Sequence, residues 1–181
     1  AIVYAAVCLA GSFVLSFIKI SPVTYGGSIT LASFVPILIY AYVYGPVRGL
    51  IVGLIYGVLQ FIQDPYMLTP LTFLLDYLLA FVGIFLIGVA RLLIKNENAA
   101  VFTGAVAAYV WRFVMHFISG IIYFQMGAIW VDLPAESAGV YSLLYNIVYL
   151  APDMVITVAV MVILVATKNF PRLVRLMRPD F

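Results

Sequence analysis

Six long apolar stretches, separated by short polar breaks, make up most of this chain. A helical crossing of a bilayer needs about 20 apolar residues. On that length the predicted spans fall at about 1–20, 28–45, 47–63, 70–93, 101–124 and 138–166. Ser21-Pro22 ends the first, Gly45-Pro46 divides the second from the third, and Asp64-Pro65 ends the third. The polar run Lys95 to Asn98 separates the fourth from the fifth, and residues 132–139 separate the fifth from the sixth. The sixth is long enough to tilt, or to bend at Pro152. The expected fold class is therefore all-α integral membrane: a single bundle of six transmembrane helices over residues 1–181, with 167–181 as a basic cytoplasmic tail.

Composition supports the membrane reading. Apolar and aromatic residues make up 66% of the chain and charged residues 9%, more apolar surface than a soluble domain of this size can bury. The net charge of +2 is no nucleic-acid signal; the position of the charges matters more. Arg48, Arg91, Lys95, Lys168, Arg172, Arg175 and Arg178 fall on one side, while Lys19 stands with Asp64, Asp132 and Glu136 on the other. The positive-inside rule then places both termini in the cytoplasm. The basic tail reads chiefly as a juxtamembrane anchor for anionic lipid. Because the chain opens at Ala1 without an initiator methionine, a short cytoplasmic start is expected to precede it. Lone Cys8 cannot form an internal disulfide, and no metal site is expected.

The fifth stretch, 101–124, carries two ionisable side chains besides tyrosines: Arg112 and, one turn on, the sole histidine, His116. A charge at the bilayer centre costs about 2.5–3.5 kcal/mol on insertion scales, so such residues face a partner or a cavity. With a rise of about 1.5 Å per residue, His116, Asp76 and Asn146 lie roughly 12, 9 and 12 Å below the outer surface. Three polar residues on three helices at one level give the layout of a ligand pocket open to the outside. Each alone would more often serve a helix–helix contact; their shared depth favours the pocket. Tyr77 follows Asp76, and Phe124 is read as lying above His116 with Gly120 leaving room between them. Ser142, Asn146, Tyr149 and Asp153 form one stripe of the sixth helix, with Tyr141 and Tyr145 beside it. Carboxylate, imidazole, amide and aromatic planes suit a flat, nitrogen-rich, cationic ligand. Arg112 and Asp153, about 18 and 21 Å down, can pair across helices five and six, a mainly structural contact in which Arg112 closes the pocket floor.

Small residues mark two further surfaces. Gly49, Gly53 and Gly57 form a ridge for close helix packing, and Ala1, Ala5, Ala6 and Ala10 give the first span two overlapping small-residue pairs on which a separate membrane subunit can dock. No Gly-rich Lys-Ser/Thr phosphate loop, His-Glu-x-x-His stretch or Gly-x-Ser-x-Gly elbow is present, so the chain is not its own ATPase by that route, and no enzyme activity is expected.

The segment from Arg112 through His116-Phe-Ile-Ser-Gly120-Ile-Ile-Tyr resembles the fifth helix of the thiamine-specific S-component of energy-coupling factor (ECF) vitamin transporters. Leu74-Leu75-Asp76-Tyr77-Leu78 resembles its fourth-helix acidic-Tyr segment, Tyr141 to Asn146 its sixth-helix segment, and Tyr25-Gly26 with Val35 to Leu38 the region around its first loop. The resemblance implies a six-helix subunit that captures thiamine from outside and works with a transmembrane coupling subunit and two cytoplasmic ATPases, with no cofactor. It implies pocket positions Tyr66, Asp76, Tyr77, His116, Phe124, Tyr141 and Asn146, with Asp76 bonding the aminopyrimidine; Arg112 is added at the floor. It also implies that Ala6 and Ala10 face the coupling subunit. Four positions depart from the pattern: Gly27 and Phe124 stand for Trp, Asp76 for Glu and Arg112 for Lys, and Trp130 is the candidate for a replacement plane. The alternatives are another vitamin, a thiamine precursor or phosphate ester, whose phosphate the Arg112 fork would suit; a membrane-embedded enzyme using His116 and Asp76; and a scaffold or channel whose polar layer only packs helices.

Overall fold

The computed structural model describes residues 1–23, 27–128 and 136–178. Helix α1 (Ile2–Ser16) leads into strand β1 (Lys19–Ile20), which pairs antiparallel with β2 (Ile29–Thr30). Helices α2 (Val35–Tyr44) and α3 (Pro46–Gln63) are joined by Gly45 alone. Its φ of +88° is open to a residue without Cβ, and Pro46 then fixes the first turn of α3. The fourth span, α4 (Pro70–Leu93), is a composite. Thr69 and Thr72 form a reciprocal cap at its start, a π-helical turn occupies Leu74–Leu79, and α-helix resumes at Ala80–Val82 and Phe85–Leu93. Helix α5 (Glu97–Gln125) is capped by Asn96, and α6 (Ala138–Ala166) is capped by Ser137 and runs through Pro152. A short helix, α7 (Asn169–Met177), follows.

Among the described residues, four helices are long and apolar enough to cross a membrane: Pro46–Gln63, Pro70–Leu93, Glu97–Gln125 and Ala138–Ala166. These match the last four expected spans, and with their exposed apolar surface (Ile51, Val110, Val155 and Ile163 among others) they make this a multi-pass membrane protein. The first two spans differ from expectation. The helix expected over 1–20 ends at Ser16, and the one expected over 28–45 is confined to Val35–Tyr44. The reason lies in Thr30 and Ser33, buried polar residues whose hydrogen bonds hold residues 29–34 in a non-helical path. Irregular backbone is tolerated at such depth where protein rather than lipid surrounds it. Here α2 is the central helix, with Ile37, Leu38, Ala41 and Val43 wholly enclosed.

The expected tail is also corrected. Residues Asn169–Met177 fold back as α7, burying Phe170, Val174 and Met177 at i, i+4 and i+7 while Arg172 and Arg175 stay exposed. The Tyr4 and Tyr44 hydroxyls donate to the carbonyls of Leu176 (2.8 Å) and Met177 (2.7 Å), satisfying a helix end that has no partners of its own. Arg91 donates to the Tyr42 and Val43 carbonyls (3.0 Å each) at the same end of the bundle.

The glycine ridge of α3 is the contact that admits α4. A Cβ at Gly53 would meet the Phe81 carbonyl oxygen at 2.5 Å, and one at Gly57 would run into the Tyr77 carbonyl oxygen. The backbones therefore touch beside the π-helical turn that carries Asp76 and Tyr77. Gly57→Ala is expected to lower the detergent-state unfolding midpoint by the equivalent of about 1–3 kcal/mol, the usual cost of overpacking. Gly139→Ala, where nothing lies within 4 Å, is the control expected to change little.

Candidate functional site

The polar side chains of α5 converge on one face because they recur at helical spacing. Tyr109, Arg112, His116, Ser119 and Tyr123 are three or four residues apart and point toward α4 and α6. His116 Nδ1 lies 2.9 Å from Asp76 Oδ1, and the Ser119 hydroxyl donates to the other carboxylate oxygen at 2.6 Å. Arg112 Nε donates to His116 Nε2 at 3.4 Å. The two partners assign the tautomer: Nδ1–H faces the carboxylate, and Nε2 accepts. The Asp76–His116 pair is thus oriented from both sides, with side-chain exposure of 15% and 12%, enough for a ligand to reach it.

Asn146 joins the layer from α6. Its amide donates to the Ser142 carbonyl (2.8 Å), the Ser142 hydroxyl (3.2 Å) and the His116 carbonyl (3.3 Å), and its oxygen accepts from the Tyr149 hydroxyl (2.7 Å). Gly120 makes the approach possible, since a Cβ there would fall on the Ser142 hydroxyl.

Beneath this layer Arg112 and Asp153 form the expected pair, Nη1 to Oδ2 at 3.2 Å, with 10% and 1% of their side chains exposed. The guanidinium also lies 5.0 Å from the Phe34 ring centre and 4.9 Å from that of Phe81, a doubly stacked cation. Above it a cavity opens, with about 790 Å³ of empty volume out to its mouth. Asp76, His116, Arg112 and Asn146 supply its polar wall, and Tyr66, Tyr77, Tyr123, Tyr141, Tyr145 and Tyr149 its aromatic one. Lys19 and Asp64, paired at 3.0 Å, stand at the rim. Among the charged residues lining it, Lys19 is paired with Asp64 and Arg112 with Asp153, which leaves the Asp76 carboxylate as the unbalanced charge.

Seven of the eight pocket residues expected from the sequence line this cavity: Tyr66, Asp76, Tyr77, Arg112, His116, Tyr141 and Asn146. Phe124 is not among the lining residues; its ring packs 5.1 Å from that of Tyr141. The reason is helical phase. Eight residues turn a helix by about 80° beyond a whole number of turns, whereas seven bring it back within about 20°, and it is Tyr123 that faces the cavity. Tyr77 also braces the chain around the site. Its hydroxyl donates to the Asp64 carbonyl (2.6 Å) and accepts from the Tyr66 amide (3.1 Å), holding the α3–α4 connection over the cavity. Tyr25, Gly26, Trp130 and Asp132 lie outside the described residues. Ser119, Tyr123 and Tyr149 are additions to the expected set, although the first two share the His116 face at i+3 and i+7.

The sequence model of the family described as thiamine transporter protein (Thia_YuaJ) matches residues 2–173. The chain belongs to that family. It is 27% identical over 160 residues to the thiamine transporter ThiT of Bacillus subtilis (strain 168), covering 83% of this chain and 80% of that one. A solved structure of ThiT from Listeria monocytogenes superposes with a TM-score of 0.76 over 95% of both chains at 22% identity, a likeness of fold. Family membership fits a cavity whose polar groups are held in place from behind.

Asn146 is the hub of the α5–α6 seam. Asn146→Ala would leave the Tyr149 hydroxyl buried without its acceptor, and is expected to cost about 1–3 kcal/mol of stability, read as a lower unfolding midpoint.

Proposed function

We propose that this chain is the substrate-binding S-component of an ECF-type importer, capturing thiamine from outside a prokaryotic cell for ATP-driven uptake. The observation that carries the reading is the Asp76–His116 pair, exposed to an aromatic-walled cavity in a member of the thiamine transporter family. Thiamine joins an aminopyrimidine, which offers donors and acceptors in one plane, to a permanently cationic thiazolium. Asp76 and His116 suit the first. The tyrosine faces and the unbalanced carboxylate suit the second.

The electrostatics favour thiamine itself over its phosphate esters. The Arg112 fork, the obvious phosphate ligand, is already engaged by Asp153 and His116 and lies over two phenyl rings. An enzyme using His116 and Asp76 is less well supported: Ser119 donates to the carboxylate rather than to the imidazole, so the hydroxyl is not set up as an activated nucleophile.

In the membrane, the reading places six crossings, with α1 and α2 as the two short ones, and both termini in the cytoplasm beside the basic cluster of Arg48, Arg91 and α7. Ala6 and Ala10 are exposed on α1 together with Ile2, Val3, Val7 and Val14. This small-residue apolar face is the proposed seat of the transmembrane coupling subunit, to which two cytoplasmic ATPases would bind.

Calorimetric titration of the detergent-purified protein with thiamine tests the function. Calorimetry is preferred to tryptophan quenching, because Trp111 bonds the Leu79 carbonyl and does not line the cavity. Saturable one-to-one binding is expected, with Asp76→Ala and His116→Ala each weakening it by about 100-fold while leaving the protein folded. Absence of heat with thiamine, followed by saturable heat with another vitamin or a precursor, would reassign the ligand. Normal affinity in both variants would remove the proposed pocket.

A further inference from the structure

Asp153 does not line the cavity, yet its carboxylate accepts four hydrogen bonds. Its Oδ1 takes the backbone N–H and the hydroxyl of Thr30, both at 2.8 Å. Its Oδ2 takes Arg112 Nη1 at 3.2 Å and the Tyr109 hydroxyl at 2.9 Å. The second ring of partners is also ordered: Ser33 donates to the Thr30 hydroxyl (2.8 Å), and Thr157 to that of Tyr109 (2.7 Å). The carboxylate is 1% exposed, so its donors come from the protein rather than from bulk water.

The two oxygens serve two different parts of the site. Through Oδ1, Asp153 holds β2, the strand that follows directly on Gly27 and Ser28, which line the cavity on the side facing α6. Gly27 is seated so closely on α6 that a Cβ would meet Tyr149 ring atoms at 2.6 and 2.9 Å, and Val23 packs in the same cluster as Tyr141, Tyr145 and Tyr149. Through Oδ2, Asp153 holds Arg112, which in turn donates to His116 on the opposite wall. One buried carboxylate thus ties the first-loop wall and the imidazole wall of the cavity to α6.

We infer that Asp153 is a positioning residue for ligand retention, fixing the first-loop strand and the Arg112–His116 pair in a common register without touching the ligand. The inference rests on the cavity being the ligand site proposed above. Its physical basis is that a buried carboxylate with two oxygens and four donors cannot lose one set without leaving the other strained or unpaired. Movement of β2 away from α6 would strip both Thr30 donors from Oδ1 and leave the buried carboxylate that holds Arg112 short of partners. A cavity built this way releases its ligand slowly, because opening one wall disturbs the other.

The test uses the full chain in detergent with Asp153→Asn, Thr30→Val and the double variant. Three quantities are measured: the thiamine dissociation rate, the association rate, and hydrogen exchange over residues 27–31. Asp153→Asn is expected to speed dissociation by about tenfold or more with little change in association, as for truncation of one partner of a buried charge pair. Thr30→Val is expected to have a smaller effect in the same direction, and the double variant to add little to Asp153→Asn alone. Exchange over residues 27–31 should accelerate in Asp153→Asn while that of α3 does not, a pattern that general destabilisation would not produce. Dissociation rates within twofold of the parent in folded variants would overturn the inference, as would additive effects in the double variant. Should Asp153→Asn fail to fold, Thr30→Val carries the test, since it keeps the ion pair and the backbone bond. Should the parent not bind thiamine, the functional reading fails by itself. Unchanged exchange over residues 27–31 in Asp153→Asn would then overturn the anchoring separately.

Discussion

A carboxylate held largely out of water must find donors inside the bundle, and in this protein two carboxylates find theirs on the same helix. Asp76 from α4 is met by His116 and Ser119 of α5, and Asp153 from α6 by Tyr109 and Arg112 of α5. Helix α5 is therefore the donor rail on which its neighbours are hung, and its 29 residues alternate between apolar packing and this one polar face. Replacing such pairs by apolar residues would often leave a protein as stable or more so. Their retention fits a role in orientation, because each pair fixes a side chain that faces the cavity.

Close backbone approach is what lets those short polar side chains reach. Gly53 and Gly57 bring α3 against the carbonyls of α4, and Gly120 brings α5 against α6. The Gly57 contact falls on the π-helical turn of α4, Leu74–Leu79, with Asp76 and Tyr77 inside it. A π-turn disrupts the regular ladder and is common at functional positions. Both residues line the cavity. Asp76 meets the imidazole while Tyr77 reaches back to the α3–α4 connection.

The last four spans and the polar layer are legible in the sequence because both depend on local regularities. Long apolar runs bounded by proline, asparagine or aspartate give the spans, and a constant rise per residue converts position to depth. The Arg112–Asp153 pair is legible for the same reason. What the sequence hides depends on partners far along the chain. Nothing local to Thr30 announces that Asp153, 123 residues away, will take its amide, and that contact keeps residues 29–34 out of the helix expected there. The α7 segment reads as a tail because basic residues recur from Lys168 to Arg178 just past the last span, yet Phe170, Val174 and Met177 carry a one-sided stripe that packs toward α2. Counting turns in whole numbers misplaces Phe124, where an angle selects Tyr123.

Half of the six tyrosines that line the cavity sit on α6, where their wall closes on Gly27. Tyr149 lies against Gly27, Tyr145 lies 5.9 Å from Tyr149 and Tyr141 6.1 Å from Tyr145, measured between ring centres. Three tyrosines one turn apart on α6 thus form a continuous aromatic wall, with the Tyr149 hydroxyl tied to Asn146. An aromatic plane mounted on a helix loses less freedom on binding than one mounted on a loop, so this wall is rigid before a ligand arrives. Arg112 is held just as firmly. A lysine could offer one point charge to the floor, whereas the planar fork serves Asp153, His116 and two phenyl rings at once. That charge holds the site together, which leaves Asp76 as the carboxylate that faces the cavity beneath its rim.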